Sequence, residues 1–268
     1  MSISADFSSS SVGPQSNLES TPSDDDIWAK TGLTRLFKGS QKKCSGYIDI
    51  DQSIRACNEL NKRAPEGIRF DSAGLTLFLR EGTCSAMALN FAALYLFRES
   101  HSYQNSDKSK IKHVKQLKAI FSKSSKEMRT QQAAFNTIEV MKSPNLDHSK
   151  QKIQGLAHLH QLKITQCSKE LVIEKTTKED LRKEVESLLC GVYLLRAIKP
   201  AQNSKLEEYG HSTILIKETR YSIFYDPNEG AFLILNQLPF FMAYAAGKLY
   251  DDFKTNQLRF YRLELLQT

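Results

Sequence analysis

The chain has 268 residues, 40% of them hydrophobic, and a net charge of +7. That is enough for one sizeable core, while the longest apolar run, residues 86–97, falls short of the ~20 residues a membrane span needs and contains Asn90. No charged-then-apolar leader opens the chain, and five scattered cysteines without a CxxC point to reduced thiols and away from a disulfide framework.

Residues 1–26 are rich in Ser, Asp and Pro, carry five acidic residues and no basic one, and are predicted to be disordered. The disordered segment is taken as 1–45, and its Ser-rich start is of the kind type III secretion substrates carry. A short apolar element is expected within 27–37. Asp51 reads as the N-cap of a helix through Lys62, with Ile54, Cys57 and Leu60 at core spacing, ended by Pro65 and Gly67. Residues 75–79 are a short apolar approach, and Glu81-Gly82-Thr83 turns the chain. From Cys84 to about Glu99 the pattern is helical and apolar almost all round, so this helix is expected to be buried. Cys84 reads either as one more small core residue or as a thiol at a helix N-terminus, where unbonded N–H groups stabilise a thiolate.

A polar loop is expected at 101–108, then one or two charged helices over 109–142, stopped before Pro144. Residues 108–129 hold eight basic residues, among them Lys108, Lys110, Lys112, Lys115 and Lys118, against Glu127 alone. This stretch reads as a solvated helix face, with docking to an acidic protein or an anionic membrane surface as the functional alternative. Only Phe121 interrupts the lysines, so nucleic-acid binding is not expected. Residues 149–162 and 177–189 are further helices, the second capped by Thr177 with Asp180. His158 and His160, near Cys167, are expected on a polar or half-buried helix surface, because two-residue spacing does not put both on one face. No metal site is expected there. Residues 163–175 are ambiguous between helix and strand.

After Cys190 the texture changes to short β-type runs at 192–198, 212–217, 221–225, 232–235 and 258–266, with a helix or a tight turn element over 237–250. Helices first and strands second argue an α+β fold. The expected organisation is a single domain over 46–268, with a basic helical insert at about 105–165.

Three residues stand out in this frame. Cys84 opens the apolar helix, His211 opens a strand after Gly210, and Asp226 closes the next strand before Pro227-Asn228. A thiol nucleophile needs a base to take its proton, and the base needs a third group to hold its tautomer. Each residue also has a plain structural reading. His211 can be an edge residue, and Asp226 can bond its own downstream backbone in a turn. The combination and its order favour Cys84 as nucleophile, His211 as general base and acid, and Asp226 as the group orienting the imidazole.

The surrounding motifs carry a resemblance. Gly82-Thr83-Cys84-Ser85-Ala86, Gly210-His211, and the run Phe224-Tyr225-Asp226-Pro227-Asn228-Glu229-Gly230-Ala231-Phe232 resemble the YopT/AvrPphB-type bacterial effector cysteine proteases of the papain-like clan, over about residues 75–265. The resemblance implies a papain-like fold, with a buried nucleophile helix packed on a C-terminal antiparallel sheet. It implies a Cys84–His211–Asp226 triad, no cofactor, a host protein as substrate, and type III delivery into the host cytoplasm without a cleavable signal peptide. Family members cut prenylated Rho-type GTPases or protein kinases, and some cut themselves, which here would fall before Gly46. The basic stretch would add a peripheral position at a host membrane.

Two positions depart from the clan. An Asn or Gln oxyanion donor is expected five or six residues before the cysteine, where this chain has Leu79 and Phe78; Asn58 or Asn61 is the substitute. The aromatic residue that follows the nucleophile on its helix is Phe91 or Tyr95. The same triad also serves deamidation, transglutamination and acyl transfer, and a non-catalytic binding module can retain the fold.

Overall fold

The structure is a computed structural model that describes residues 30–39, 46–47, 50–62, 68–70, 78–79, 83–101, 106–123, 125–136, 138–140, 148–199, 209–253, 255 and 257–266. The expectations for 1–26 and for the turn at 81–82 lie outside them, but within the segment 1–45 taken as disordered Thr34–Lys38 form a strand instead, because Phe37 is buried in the core.

The run Thr213–Ile216 is β-branched and aliphatic, and it lies in the second half of strand β9 (Tyr209–Lys217). It pairs antiparallel with β8 (Gly191–Lys199) on one side and β10 (Ser222–Asp226) on the other. The sheet continues from β10 to β11 (Gly230–Ile234) and then β1 (Thr34–Lys38). Beyond β8 come β12 (Gln257–Leu265) and β6 (Leu162–Cys167), with β7 (Leu171–Val172) beside the start of β12. Every pairing is antiparallel. The fold is α+β, helices packed on an antiparallel sheet.

Alternation along the strands sorts two apolar layers. Val192, Leu194, Ile214, Ile216, Ile223 and Tyr225 pack on one face with helix α2 (Cys84–His101), which Cys84 opens. That helix is buried from Cys84 through Leu89, as its lack of a polar face requires. Around it lie α1 (Ile50–Asn61), α3 (Asp107–Lys123), α4 (Ser125–Asn136) and α5 (His148–Leu159), through Cys57, Val114, Leu117, Met128, Ile153 and Leu156. On the opposite face Tyr193, Leu195, Leu215, Phe224 and Phe232 pack against α6 (Lys178–Ser187) and α7 (Leu238–Phe253).

Several boundaries differ from the expectations. Asp51 is not the cap of α1; the helix starts at Ile50 and places Asp51 in its first turn, where a carboxylate suits the dipole. The expected loop at 101–108 is shortened at both ends, since α2 runs through His101 and α3 begins at Asp107. The charged stretch is two helices followed by strand β5 (Ile138–Val140), which pairs with β3 (Ile68–Phe70), while β2 (Gly46–Tyr47) pairs with β4 (Phe78–Leu79). The ambiguous residues 163–175 hold β6, β7 and a short 3-10 turn at Ile173–Lys175. The cap of α6 is as expected: the Thr177 side chain accepts from the Asp180 N–H, and the Asp180 carboxylate accepts from the Thr177 N–H.

Helix α2 is held at both ends. At its far end Tyr95 donates to Glu218 at 2.8 Å, and Lys110 of α3 bridges Glu218 and Glu99 at 2.9 and 2.7 Å. Burial pushes the Lys110 ammonium down, but the two carboxylates more than offset it, so it stays firmly charged. Lys110 therefore ties α3 to the core, while Lys108, Lys112, Lys115 and Lys118 are exposed. His160 is buried, contrary to the expected helix surface, with Nε2 lacking a hydrogen-bond partner. Burial holds its pKa down to about 4. Among the described residues no helix is long and apolar enough to cross a membrane.

Candidate active site

The first helical bond of α2 runs from the Met87 N–H to the Thr83 carbonyl at 2.9 Å. The N–H groups of Cys84, Ser85 and Ala86 therefore have no partner within the helix. One of them is supplied from outside: Ala86 N–H donates to Oε1 of Gln132, on α4, at 3.1 Å. Gln132 is buried. It works as a helix cap delivered by a distant segment, which no local pattern in the sequence signals.

The N-terminus of α2 abuts the start of β9. Cys84 Sγ lies 3.9 Å from the Gly210 carbonyl oxygen and 3.9 Å from Ser85 Oγ. Gly210 is needed for the pairing with β8, since a Cβ there would sit 2.8 Å from the Ala197 carbonyl oxygen. His211 is the third residue of β9, and Asp226 is the last of β10. Tyr225 pairs with Ile214, so Asp226 stands one step further, diagonal to His211 on the same face. His211 Nε2 lies 3.0 Å from both Asp226 carboxylate oxygens. The remaining ring nitrogen, Nδ1, is the one left for the hydrogen bond that the imidazole makes with the Cys84 sulfur. All three residues are buried, at 8%, 1% and 7% exposure for Cys84, His211 and Asp226.

The charges follow from these contacts. Burial raises the Cys84 thiol. The hydrogen bond and charge of His211, the charge of Arg196, and the Ser212 backbone N–H outweigh burial and leave it lowered. Burial lowers His211, but the Asp226 carboxylate and the Cys84 sulfur outweigh it and raise the imidazole well above its usual range. Both shifts favour a thiolate beside an imidazolium.

Asp226 also accepts from the Asn228 N–H at 2.7 Å, closing the β10–β11 turn. Gly230 is needed there: its φ is +116°, and a Cβ would run into the Phe37 carbonyl of β1. The turn reading of Asp226 and its contact with His211 thus coexist on one carboxylate.

The two departures resolve differently. Asn58 and Asn61 are exposed on α1, so they are not donors in this buried site; the amide that reaches the start of α2 is that of Gln132, at Ala86. Phe91 stacks on Tyr225 at 4.2 Å, two turns along α2 and about 10 Å from Cys84 by helical rise. Tyr95 lies a further turn away. Neither flanks the sulfur.

On the α7 side of Asp226 opens a cavity of about 120 Å³, comparable to the benzene-sized voids of protein cores. Phe224, Phe232, Phe241 and Tyr244 give it aromatic walls, and Arg35 and Lys248 stand beside Phe232 and Tyr244. Among the described residues no group of His, Cys, Asp and Glu gathers to hold a metal ion.

No family model matches the sequence, and no curated protein is similar to it. Among solved structures, the crystal structure of the Pseudomonas avirulence protein AvrPphB is similar at a TM-score of 0.39 and 12% identity, over 68% of this chain and 92% of that one; the likeness is a distant structural one.

Proposed function

We propose that this chain is a cysteine-type hydrolase, a papain-like endopeptidase, in which Cys84, His211 and Asp226 act as one catalytic unit. One observation carries the reading: the chain brings a thiol at a helix N-terminus, a buried imidazole and a buried carboxylate into a continuous line, with the thiol lowered and the imidazole raised. In the proposed cycle the Cys84 thiolate attacks the carbonyl carbon of a peptide bond and forms a C–S bond. The Cys84 N–H faces the developing oxyanion. The His211 imidazolium gives its proton to the departing amine as the C–N bond breaks. A water then attacks the thioester, His211 takes its proton, and the C–S bond breaks to release the carboxylate. Asp226 holds the ring with Nδ1 toward sulfur throughout.

A host protein as substrate, and delivery into a host cell, belong to the same proposal and are supported by the motif resemblance. The aromatic cavity beyond Asp226 offers room for a side chain of the substrate's leaving segment. The exposed lysines Lys108, Lys112, Lys115 and Lys118 are the surface proposed to meet an acidic protein or anionic membrane.

The test is labelling of the full chain with E-64 and with iodoacetamide at pH 6.5, read by intact mass and peptide mapping. Cys190 is exposed and Cys167 half-buried, so accessibility alone would label Cys190 first. Activation predicts Cys84 first, with loss of that preference in His211→Ala and Asp226→Ala. Labelling in the order of exposure would remove the enzyme reading and leave a binding module on the same fold.

A further inference from the structure

Arg196 lies on β8 and is only 6% exposed. Arginine is rarely buried this far, and a cation taken out of water must be compensated where it sits. Its Nη1 donates to Ser85 Oγ and to Ser212 Oγ, both at 3.1 Å, and the two hydroxyls are themselves 2.9 Å apart. Ser85 directly follows Cys84, and Ser212 directly follows His211. One guanidinium nitrogen thus closes a triangle between the residue after the thiol and the residue after the imidazole. The alternation of β9 explains the placement. His211 points toward Asp226, so its neighbour Ser212 points to the other face, where α2 packs. The β8–β9 register sets Arg196 directly opposite Ser212. The motif search that finds Cys84 and His211 passes over Arg196, because nothing local marks a strand arginine as buried.

A cation is favoured at this point because a negative charge develops next to it when Cys84 ionises. The charged groups that act on the sulfur are Arg196 from β8 and His211 from β9, backed by Asp226 of β10; Ser85 Oγ, the Gly210 carbonyl and the Ser212 N–H add neutral contacts. We propose that Arg196 is a positioning residue of the site: through Ser85 and Ser212 it fixes the nucleophile helix against the histidine strand, and its buried charge holds Cys84 as the thiolate. The inference rests on the reading of Cys84 as an activated thiol.

The experiment is the pH dependence of Cys84 alkylation by iodoacetamide in the full chain, for wild type, Arg196→Gln, Arg196→Lys, and the Ser85→Ala/Ser212→Ala double variant, with thermal unfolding recorded for each. The Gln variant keeps a donor and removes the charge. Its alkylation midpoint is expected to rise by about one pH unit, a tenfold loss of thiolate below the midpoint. Arg196→Lys keeps the charge and is expected to keep the wild-type midpoint. The double variant retains Arg196 and loses the tether. It is expected to keep the midpoint while its limiting alkylation rate falls about threefold or more, and it carries the test if the Gln variant does not fold. A folded Arg196→Gln with the wild-type midpoint overturns the proposal, as does a Lys midpoint displaced as far as that of Gln, or a double variant with unchanged rate. A wild-type Cys84 that titrates as an ordinary thiol removes the function proposed above; a low wild-type midpoint with an unmoved Gln variant removes the Arg196 role alone.

Discussion

Asp226 takes hydrogen bonds from His211 and from the Asn228 backbone, so the residue that shapes a turn also orients an imidazole. A buried histidine given no such partner behaves in the opposite way. His160 titrates at about 4 in the fold against 6.5 unfolded, because burial penalises its charged form. Between those values the unfolded chain binds the extra proton, so stability rises with pH across that window and is lost as pH falls from about 6.5 to about 4. The full loss is about 3 kcal/mol. Urea unfolding at pH 7 and pH 4.5 should show about 2–3 kcal/mol less difference for His160→Leu than for wild type. Equal differences would mean that His160 does not bury its neutral form. Composition and helical spacing placed His160 on a surface, because neither reveals that the turn after α5 is covered by other elements.

Elements that carry their own signals were the legible ones. The strands from β8 to β11 announce themselves by β-branched runs between turn residues, and α2 by its apolar circumference. The Thr177–Asp180 pair marks the start of α6 because the capping bonds span only three residues. Pairings across long stretches of chain left no such trace. Strand β3 has three residues and its partner β5 lies about seventy positions away, and β6 alternates too weakly between buried and exposed positions to read as a strand. The cap of α2 belongs to this class. Gln132 reaches it from α4, and its amide is the acceptor for a buried backbone N–H. Removing one partner of such a pair leaves the other unsatisfied, at a cost of about 1–3 kcal/mol. Gln132→Ala should therefore lower the urea-unfolding free energy by about that amount while the far-ultraviolet spectrum is kept. An unchanged free energy would show that α4 does not hold α2.

At the scale of the molecule, the sheet is not assembled in chain order. The last strand, β12, lies between β8 and β6 and hydrogen-bonds both, with β7 beside its start. It buries Leu258, Phe260, Tyr261 and Leu263, which serve both apolar layers. Deleting residues 257–268 should thus abolish the cooperative thermal transition of the whole chain, whereas loss of an edge strand would spare it. A truncated chain with a single sharp transition near that of wild type would refute this. The arrangement also sets a timetable. The thiol at position 84 leaves the ribosome long before the imidazole at 211, a lag of roughly ten seconds at ordinary synthesis rates. The strand that locks the sheet around them, β12, is made later still. A chain caught between the two carries the thiol without the imidazole, and the pair can be assembled only after β12 has emerged.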